Sequence, residues 1–288
     1  MTVSFEICTK SVSIVVEDAL LGTSSAVVAL PRGIMQDGFI TDIDGVCRLL
    51  SPEIAQLGAA KVRQCEFVLP ASFAITQEVS LPRVKKSRIL PLLRGQLEGG
   101  IADIGRYVVD YIPFSDDFDT LTLLAVLMEK KLIGQYIMLA ERLSLKCTGI
   151  QLRFARLRRM MMQNKVTDTA FVIADIMPGE AELSLFEGGS VFVRSVRIDE
   201  ADSTLSDWGI AFASAGPDIT QQAAIVADGI NSLIQFQDSR NRDLPVSAIY
   251  ATGDTERYKE LLSTCSLRLG RSIGPLNQNG QAVVEVMR

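Results

Sequence analysis

Residues 170–198, AFVIADIMPGEAELSLFEGGSVFVRSVRI, read as three consecutive strands. Ala170 to Ile173 is a near-continuous apolar run that ends at Asp175. A Pro178-Gly179 turn leads into a second strand carrying Leu183, Leu185 and Phe186. The Glu187-Gly188-Gly189 turn leads into a third, in which Val191, Val193 and Val196 alternate with polar residues. Apolar alternation bounded by glycine-containing turns is the signal of antiparallel strands. An acid at a strand end followed by a tight turn is also a way to grip a nucleotide phosphate, through a metal ion and backbone N–H groups.

Composition limits the chemistry. The 288 residues hold 34 acids against 29 lysines and arginines, a net charge of −5. No basic excess exists to displace counterions from a nucleic acid, so a general nucleic-acid binder is not expected. Histidine is absent, which removes Ser-His-Asp and Cys-His catalysis and His-ligated zinc. The five cysteines, Cys8, Cys47, Cys65, Cys147 and Cys265, form no C-x-x-C pair. They read as small apolar residues in a reducing compartment. The N-terminal segment lacks a basic region followed by a long apolar core, so no signal peptide is expected. The longest apolar run, Leu121 to Met128, is less than half a membrane span. These features predict a soluble cytoplasmic protein able to dock on a membrane complex.

Before the opening stretch, residues 1–40 read as a meander with strands at Val3–Cys8, Val12–Val16 and Ala26–Leu30, then an Asp37-Gly38 hairpin turn. Thr41 or Asp42 can cap a helix carrying Val46, Leu49, Leu50 and Ile54. Cys65 to Leu69 is a buried strand. Residues 71–148 then read as a separate α/β block: strand 73–81, a helix from Ser87, strands 107–112 and 121–128, and an amphipathic helix 130–145. An acidic loop, Asp116-Asp117-Phe118-Asp119, joins the two later strands and lacks the spacing of a calcium loop. Helix 152–163 carries Arg153, Arg156, Arg158 and Arg159, read as a solvated basic face. Beyond the three strands, residues 200–217 are poorly patterned and hold Trp208. Helices at 219–237 and 258–265 flank a strand at 245–251, and Ala282 to Val286 is a candidate last strand.

The two halves share one pattern. Each begins with a strand, a polar turn, a second strand and a third: Val3–Val16–Leu30 and Ala170–Phe186–Val196. That duplication resembles the plan of the actin-like ATPase superfamily. In order, the chain resembles the PilM-type proteins of type IV pilus assembly, and more distantly FtsA-type division proteins. The residues that carry the resemblance are Leu30-Pro31 followed by Asp37-Gly38, Val68-Leu69-Pro70, Val79-Ser80-Leu81-Pro82, the hairpin Asp175 to Phe186, and Tyr250-Ala251-Thr252-Gly253. It implies an α/β, actin-like fold of two duplicated lobes, 1–148 and 149–288, with an inserted α/β subdomain at 71–148.

The resemblance also implies where a nucleotide would sit, and the residues there depart from the pattern. The first turn, expected as D-x-G-S/T, reads Glu6-Ile7-Cys8-Thr9-Lys10. Glu6 keeps a carboxylate, Cys8 replaces the glycine, and Thr9 and Lys10 retain anion-binding groups. In the second turn Asp175 keeps the acid and Gly179 a glycine. Met177 stands in place of the first glycine, Pro178 removes a donor, and Glu180 and Glu182 add negative charge. Like charges at ~4 Å cost roughly 1–4 kcal/mol. The third turn, expected as T-G-G, reads Thr252-Gly253-Asp254, in which Asp254 also suits a helix cap. The plainer reading of each turn is an ordinary hairpin or cap. Glu6, Thr9, Lys10, Asp175, Gly179, Gly253 and Asp254 therefore mark a degenerate nucleotide site. No catalytic residue, no metal site and no cofactor beyond weakly held MgATP is expected.

The resemblance implies a partner: the N-terminal cytoplasmic peptide of a PilN-like bitopic inner-membrane protein, held between residues 1–70 and the inserted subdomain. Pilus motor ATPases and a second copy of the chain are further candidates by the same analogy. The expected role is a non-catalytic scaffold on the cytoplasmic face of the inner membrane, peripheral to the membrane through its partners. Two alternatives stay open. One is an ATP-binding or hydrolysing superfamily member. The other is the cytoplasmic half of a GspL-like type II secretion protein.

Overall fold

A computed structural model describes residues 2–18, 22–116, 119–163, 170–187, 190–198, 218–255 and 257–276. The readings for residues 200–217 and 282–286, and for Asp117, Phe118, Gly188 and Gly189, lie outside them. The chain divides into two compact units, Met1–Arg156 and Leu157–Arg288.

The first unit runs β1 (Thr2–Ile7), β2 (Ser11–Asp18), β3 (Gly22–Ala29), β4 (Met35–Gln36), β5 (Phe39–Ile40), α1 (Ile43–Gln56), β6 (Gln64–Leu69), β7 (Ile75–Pro82), α2 (Lys86–Glu98), β8 (Tyr107–Asp116), β9 (Thr120–Glu129), α3 (Lys130–Arg142) and β10 (Lys146–Leu152), and enters α4 (Arg153–Gln163). Its main sheet has the order β10-β6-β1-β2-β3. β1, β2 and β3 form an antiparallel meander, while β6 and β10 join β1 in parallel. Val3, Phe5 and Ile7 face the core in strict alternation, as the sequence pattern requires. Phe5 stacks on Phe67 at 5.3 Å, and Phe67 meets Tyr136 of α3 at 5.2 Å. Asp42 caps α1 by accepting the Gly45 N–H at 2.8 Å. Asp37 and Gly38, at φ of 48° and 85°, form the β4–β5 turn, both in the left-handed region that a tight two-residue hairpin needs.

β7, β9 and β8 form a separate antiparallel sheet. Its odd-numbered positions (Val79, Leu81, Val109, Leu121, Leu123 and Leu127) pack against Ile89, Leu93 and Leu97 of α2. Adjacency in sequence puts helix 130–145 in this block, but the structure gives α3 to the main sheet. Gln135 makes paired hydrogen bonds to the backbone of Ile40, at 3.0 and 2.9 Å, and the Tyr136 hydroxyl donates to the Gly38 carbonyl at 2.9 Å. The part with its own sheet is therefore Ile75–Glu129. The lobe boundary read at residue 148 falls inside β10, which pairs with β6.

The second unit continues through the rest of α4, then β11 (Ala170–Met177), β12 (Glu180–Glu187), β13 (Ser190–Arg197), α5 (Ile219–Arg240), β14 (Val246–Gly253), α6 (Lys259–Leu269) and β15 (Ile273–Pro275). Its sheet has the order β13-β12-β11-β14-β15. Again a meander of three antiparallel strands carries two parallel strands on the far side of its first member. This is the strand plan of the first unit repeated. α5 starts at a capping box formed by Asp218 and Gln221. It buries Ala223, Val226, Ile230, Leu233 and Ile234 against Val172, Ala174, Leu183 and Leu185. Every residue of β11 is buried, which fits its apolar run in the middle of a sheet covered on both faces.

Candidate functional site

The first turn closes between Cys8 and Ser11, with the Cys8 N–H donating to the Ser11 carbonyl at 2.9 Å. Lys10 is exposed at its tip, and its carbonyl accepts the Leu30 N–H at 2.8 Å. The Cys8 side chain is 2% exposed and fills the space where a glycine would leave room for a ligand. The hydroxyls of Thr9 and Ser11 are buried with no hydrogen-bond partner.

Glu6 is already engaged. The Arg156 guanidinium donates to its carboxylate through Nη1. One helical turn earlier Arg153, 7% exposed, donates to the Ile7 carbonyl at 2.8 Å and reaches the Cys8 sulfur at 3.5 Å. The basic face of α4, read from sequence as solvated, instead clamps the end of β1. The cause is topological: β10 lies beside β6, β6 beside β1, and α4 begins where β10 ends. Spacing three apart puts Arg153 and Arg156 on one helix face. A buried guanidinium requires a hydrogen-bonded acceptor to offset its desolvation, and the strand-end carbonyl supplies one.

In the second unit, Asp175 is paired across β12 with Glu182 and along β14 with Thr252. Glu180 follows on the same face, opposite Met177. The exposures of Asp175, Glu180 and Glu182 are 5%, 5% and 1%. Glu182 and Ser184 lie on the opposite face of β12 from Leu183 and Leu185, yet both are buried, because the second face of this sheet is covered as well. Clustered carboxylates repel a phosphate. Gly179, at φ 90°, suits the third position of a tight turn begun by Met177, with Pro178 second, and its carbonyl accepts the Ile198 N–H at 3.0 Å. The third turn folds onto the end of β11: the Asp254 N–H donates to the Ile176 carbonyl at 2.9 Å. Gly253, at φ 85°, has its Cβ direction filled by that carbonyl and by Asp175 Oδ1. Asp254 does not cap α6. Tyr258 is the N-cap residue, and no side chain closes that end.

The structure thus brings Glu6, Thr9 and Lys10 together at one turn, and Asp175, Gly179, Gly253 and Asp254 around the end of β11. The fit to a magnesium nucleotide is poor. At the first turn the acid is held by a guanidinium and the glycine is a buried cysteine. At the second a proline removes a donor. At the third the glycine serves strand packing. Sequence reasoning missed the roles of Arg153 and Arg156; their i, i+3 spacing was the only signal.

A second feature of the first unit is a groove of about 540 Å³ between α3 and β10, lined by Ile133, Ile137, Leu145, Cys147 and Ile150, with Glu141 and Lys146 at its rim. β10 is an edge strand. On the inserted sheet, the face turned away from α2 carries Ile112, Leu124, Val126 and Met128. Among the described residues no helix is long and apolar enough to cross a membrane.

No family profile matches the chain, and no curated protein matches it either. Solved structures do. A chain of the PilM-PilN type IV pilus biogenesis complex, 13% identical, superposes over 96% of this chain and 88% of its own with a TM-score of 0.75. The ethanolamine utilization protein EutJ from Carboxydothermus hydrogenoformans, 12% identical, superposes over 95% and 83% with a TM-score of 0.52. A Bacteroides thetaiotaomicron protein with an actin-like ATPase fold and unknown function, 9% identical, does so over 97% and 92% with a TM-score of 0.51. The repeated five-strand plan and these full-length likenesses agree: the chain has the actin-like ATPase fold.

Proposed function

We propose that this protein is a non-catalytic scaffold of type IV pilus assembly that has kept the actin-like fold and given up its nucleotide. It works at the cytoplasmic face of the inner membrane and holds the N-terminal cytoplasmic peptide of a PilN-like bitopic protein. The observation that carries the reading is the likeness to a chain of the PilM-PilN complex, at a TM-score of 0.75 over nearly the whole of both chains. The superposed part includes most of the inserted sheet, the element that gives the first unit a second surface. Peptide capture of this kind uses a groove with apolar pockets or an open strand edge. The first unit offers exposed Val108 with half-buried Ile112 and Val126 on the inserted sheet and the groove beside β10.

Loss of nucleotide is supported by the first turn, where Arg156 holds the one acid and Cys8 fills the approach. Two measurements test the proposal. Calorimetric titration with a synthetic peptide from the N-terminus of the bitopic protein encoded beside this one should give saturable binding, weakened by Val126→Asp or by Ile137→Asp according to the surface used. No binding to the intact chain refutes the scaffold role. Thermal melting with millimolar MgATP should show no rise. A ligand at 100 times its Kd would add about 2.7 kcal/mol, so a rise of several degrees refutes the loss of nucleotide.

A further inference from the structure

We propose that the α4 arginines are a built-in substitute for a ligand-borne cation: Arg156 neutralises Glu6 and excludes a divalent ion from it, while Arg153 ties down the end of β1. This rests on the reading of a lost nucleotide site and gives that loss a mechanism within the chain.

In an actin-like arrangement a carboxylate at the end of the first strand gains its partner when a metal nucleotide arrives. Here the partner is covalently present. Arg156 and Glu6 retain only 30% and 28% side-chain exposure, so their pairing is screened less than a surface pair would be. A charge-assisted guanidinium–carboxylate contact is among the stronger hydrogen bonds a protein makes. Arg153 acts next to it on the backbone, accepted by the Ile7 carbonyl at 2.8 Å. The turn that follows is closed by its own Cys8–Ser11 bond. The Glu6 carboxylate is therefore met from within the first unit. The arginines come from the segment that leads into the second unit, so the clamp forms whenever β10 and α4 dock.

The probe is Mn²⁺, whose unpaired electrons broaden nearby amide signals. In the intact wild-type chain, the amides of Ile7, Cys8 and Thr9 should broaden less than those around an exposed carboxylate such as Glu98. In Arg156→Gln they should broaden at least as much as the Glu98 reference. Broadening of Ile7–Thr9 in wild type equal to the reference overturns the proposal, and so does an unchanged pattern in Arg156→Gln. If Arg156→Gln does not fold, Arg156→Lys keeps a cation at the site and should broaden no more than wild type; more overturns the proposal. A double-mutant cycle of Glu6→Gln and Arg156→Gln should show coupling of about fivefold or more in the unfolding equilibrium constant. Additive effects overturn it. The two ideas fail separately: a MgATP-induced rise in wild-type melting temperature removes the reading of a lost site. Strong Mn²⁺ broadening without such a rise removes only the clamp.

Discussion

Replacing Gly253 by alanine asks whether this glycine serves a ligand or the fold. Its φ of 85° is left-handed, and a residue with a Cβ there costs roughly 1–2 kcal/mol. The added Cβ would lie deep inside contact distance of the Ile176 carbonyl and 2.6 Å from Asp175 Oδ1. The carbonyl cannot swing away without losing the Asp254 N–H that it accepts at 2.9 Å. Asp175 is itself enclosed. Overpacking of this kind costs about 1–3 kcal/mol, so the two effects together amount to about 3–4 kcal/mol. At roughly 3 °C per kcal/mol, the melting temperature should fall by about 10 °C with no nucleotide present. The control is Gly270→Ala in the same unit, at φ 62° with nothing within 4 Å of its Cβ direction. It carries the backbone cost alone and should lose about a third to a half as much. Circular dichroism melts of both variants in nucleotide-free buffer measure the difference. If Gly253→Ala melts no lower than Gly270→Ala, the glycine is not there for strand packing, and the account of the third turn is wrong.

Two further predictions follow from the buried polar groups. Tyr136→Phe removes the hydroxyl that satisfies the Gly38 carbonyl at 2.9 Å and should cost about 1–2 kcal/mol, read as a lower urea midpoint with an unchanged slope. Burial pushes the Cys65 and Cys265 thiols up from the ordinary 9.0 to about 12, so iodoacetamide at pH 8 should label half-buried Cys47 and Cys147 first. Because the folded-state pKa values of Cys65 and Cys265 lie above the unfolded one, their contribution to stability is complete below about pH 9 and declines as pH rises toward 12. Early labelling of Cys65 or Cys265, found by peptide mass, would contradict their burial.

The elements that were legible in the sequence are those with an uninterrupted period. β1, β11 and β12, the Asp37-Gly38 turn and the buried face of α5 all follow directly from alternation or 3.6-residue spacing. β10 was not legible, because the ladder is irregular between Cys147 and Gly149 and breaks the alternation. β15 has only three residues. Missing β10 had a further consequence: without it, nothing tied the start of α4 to the strands beside β1, and Arg153 and Arg156 looked like surface charges. The pairing of α3 with residues 38–40 was hidden for a different reason, since Tyr136 and Gly38 are far apart in sequence. The departures of the three turns were readable residue by residue. Who occupies the vacated roles was not, because Arg156 at Glu6 and Ile176 at Gly253 are tertiary neighbours.

The inserted sheet has a bearing on how the first unit assembles. β6 and β10 are neighbours, yet residues 70–145 separate them. Within that span β7 begins beside the end of β9, with Ile75 opposite Leu127. Once the small sheet has formed, the two arms leaving it start side by side, and the loop that must close to bring β10 onto β6 is far shorter. Loop-closure entropy changes by about 0.6 kcal/mol for each doubling of length, so pre-folding the insertion relieves roughly 1 kcal/mol of that cost. The insertion thus acts as a clip in the folding chain, lowering the entropy barrier to the parallel pairing that β10 completes.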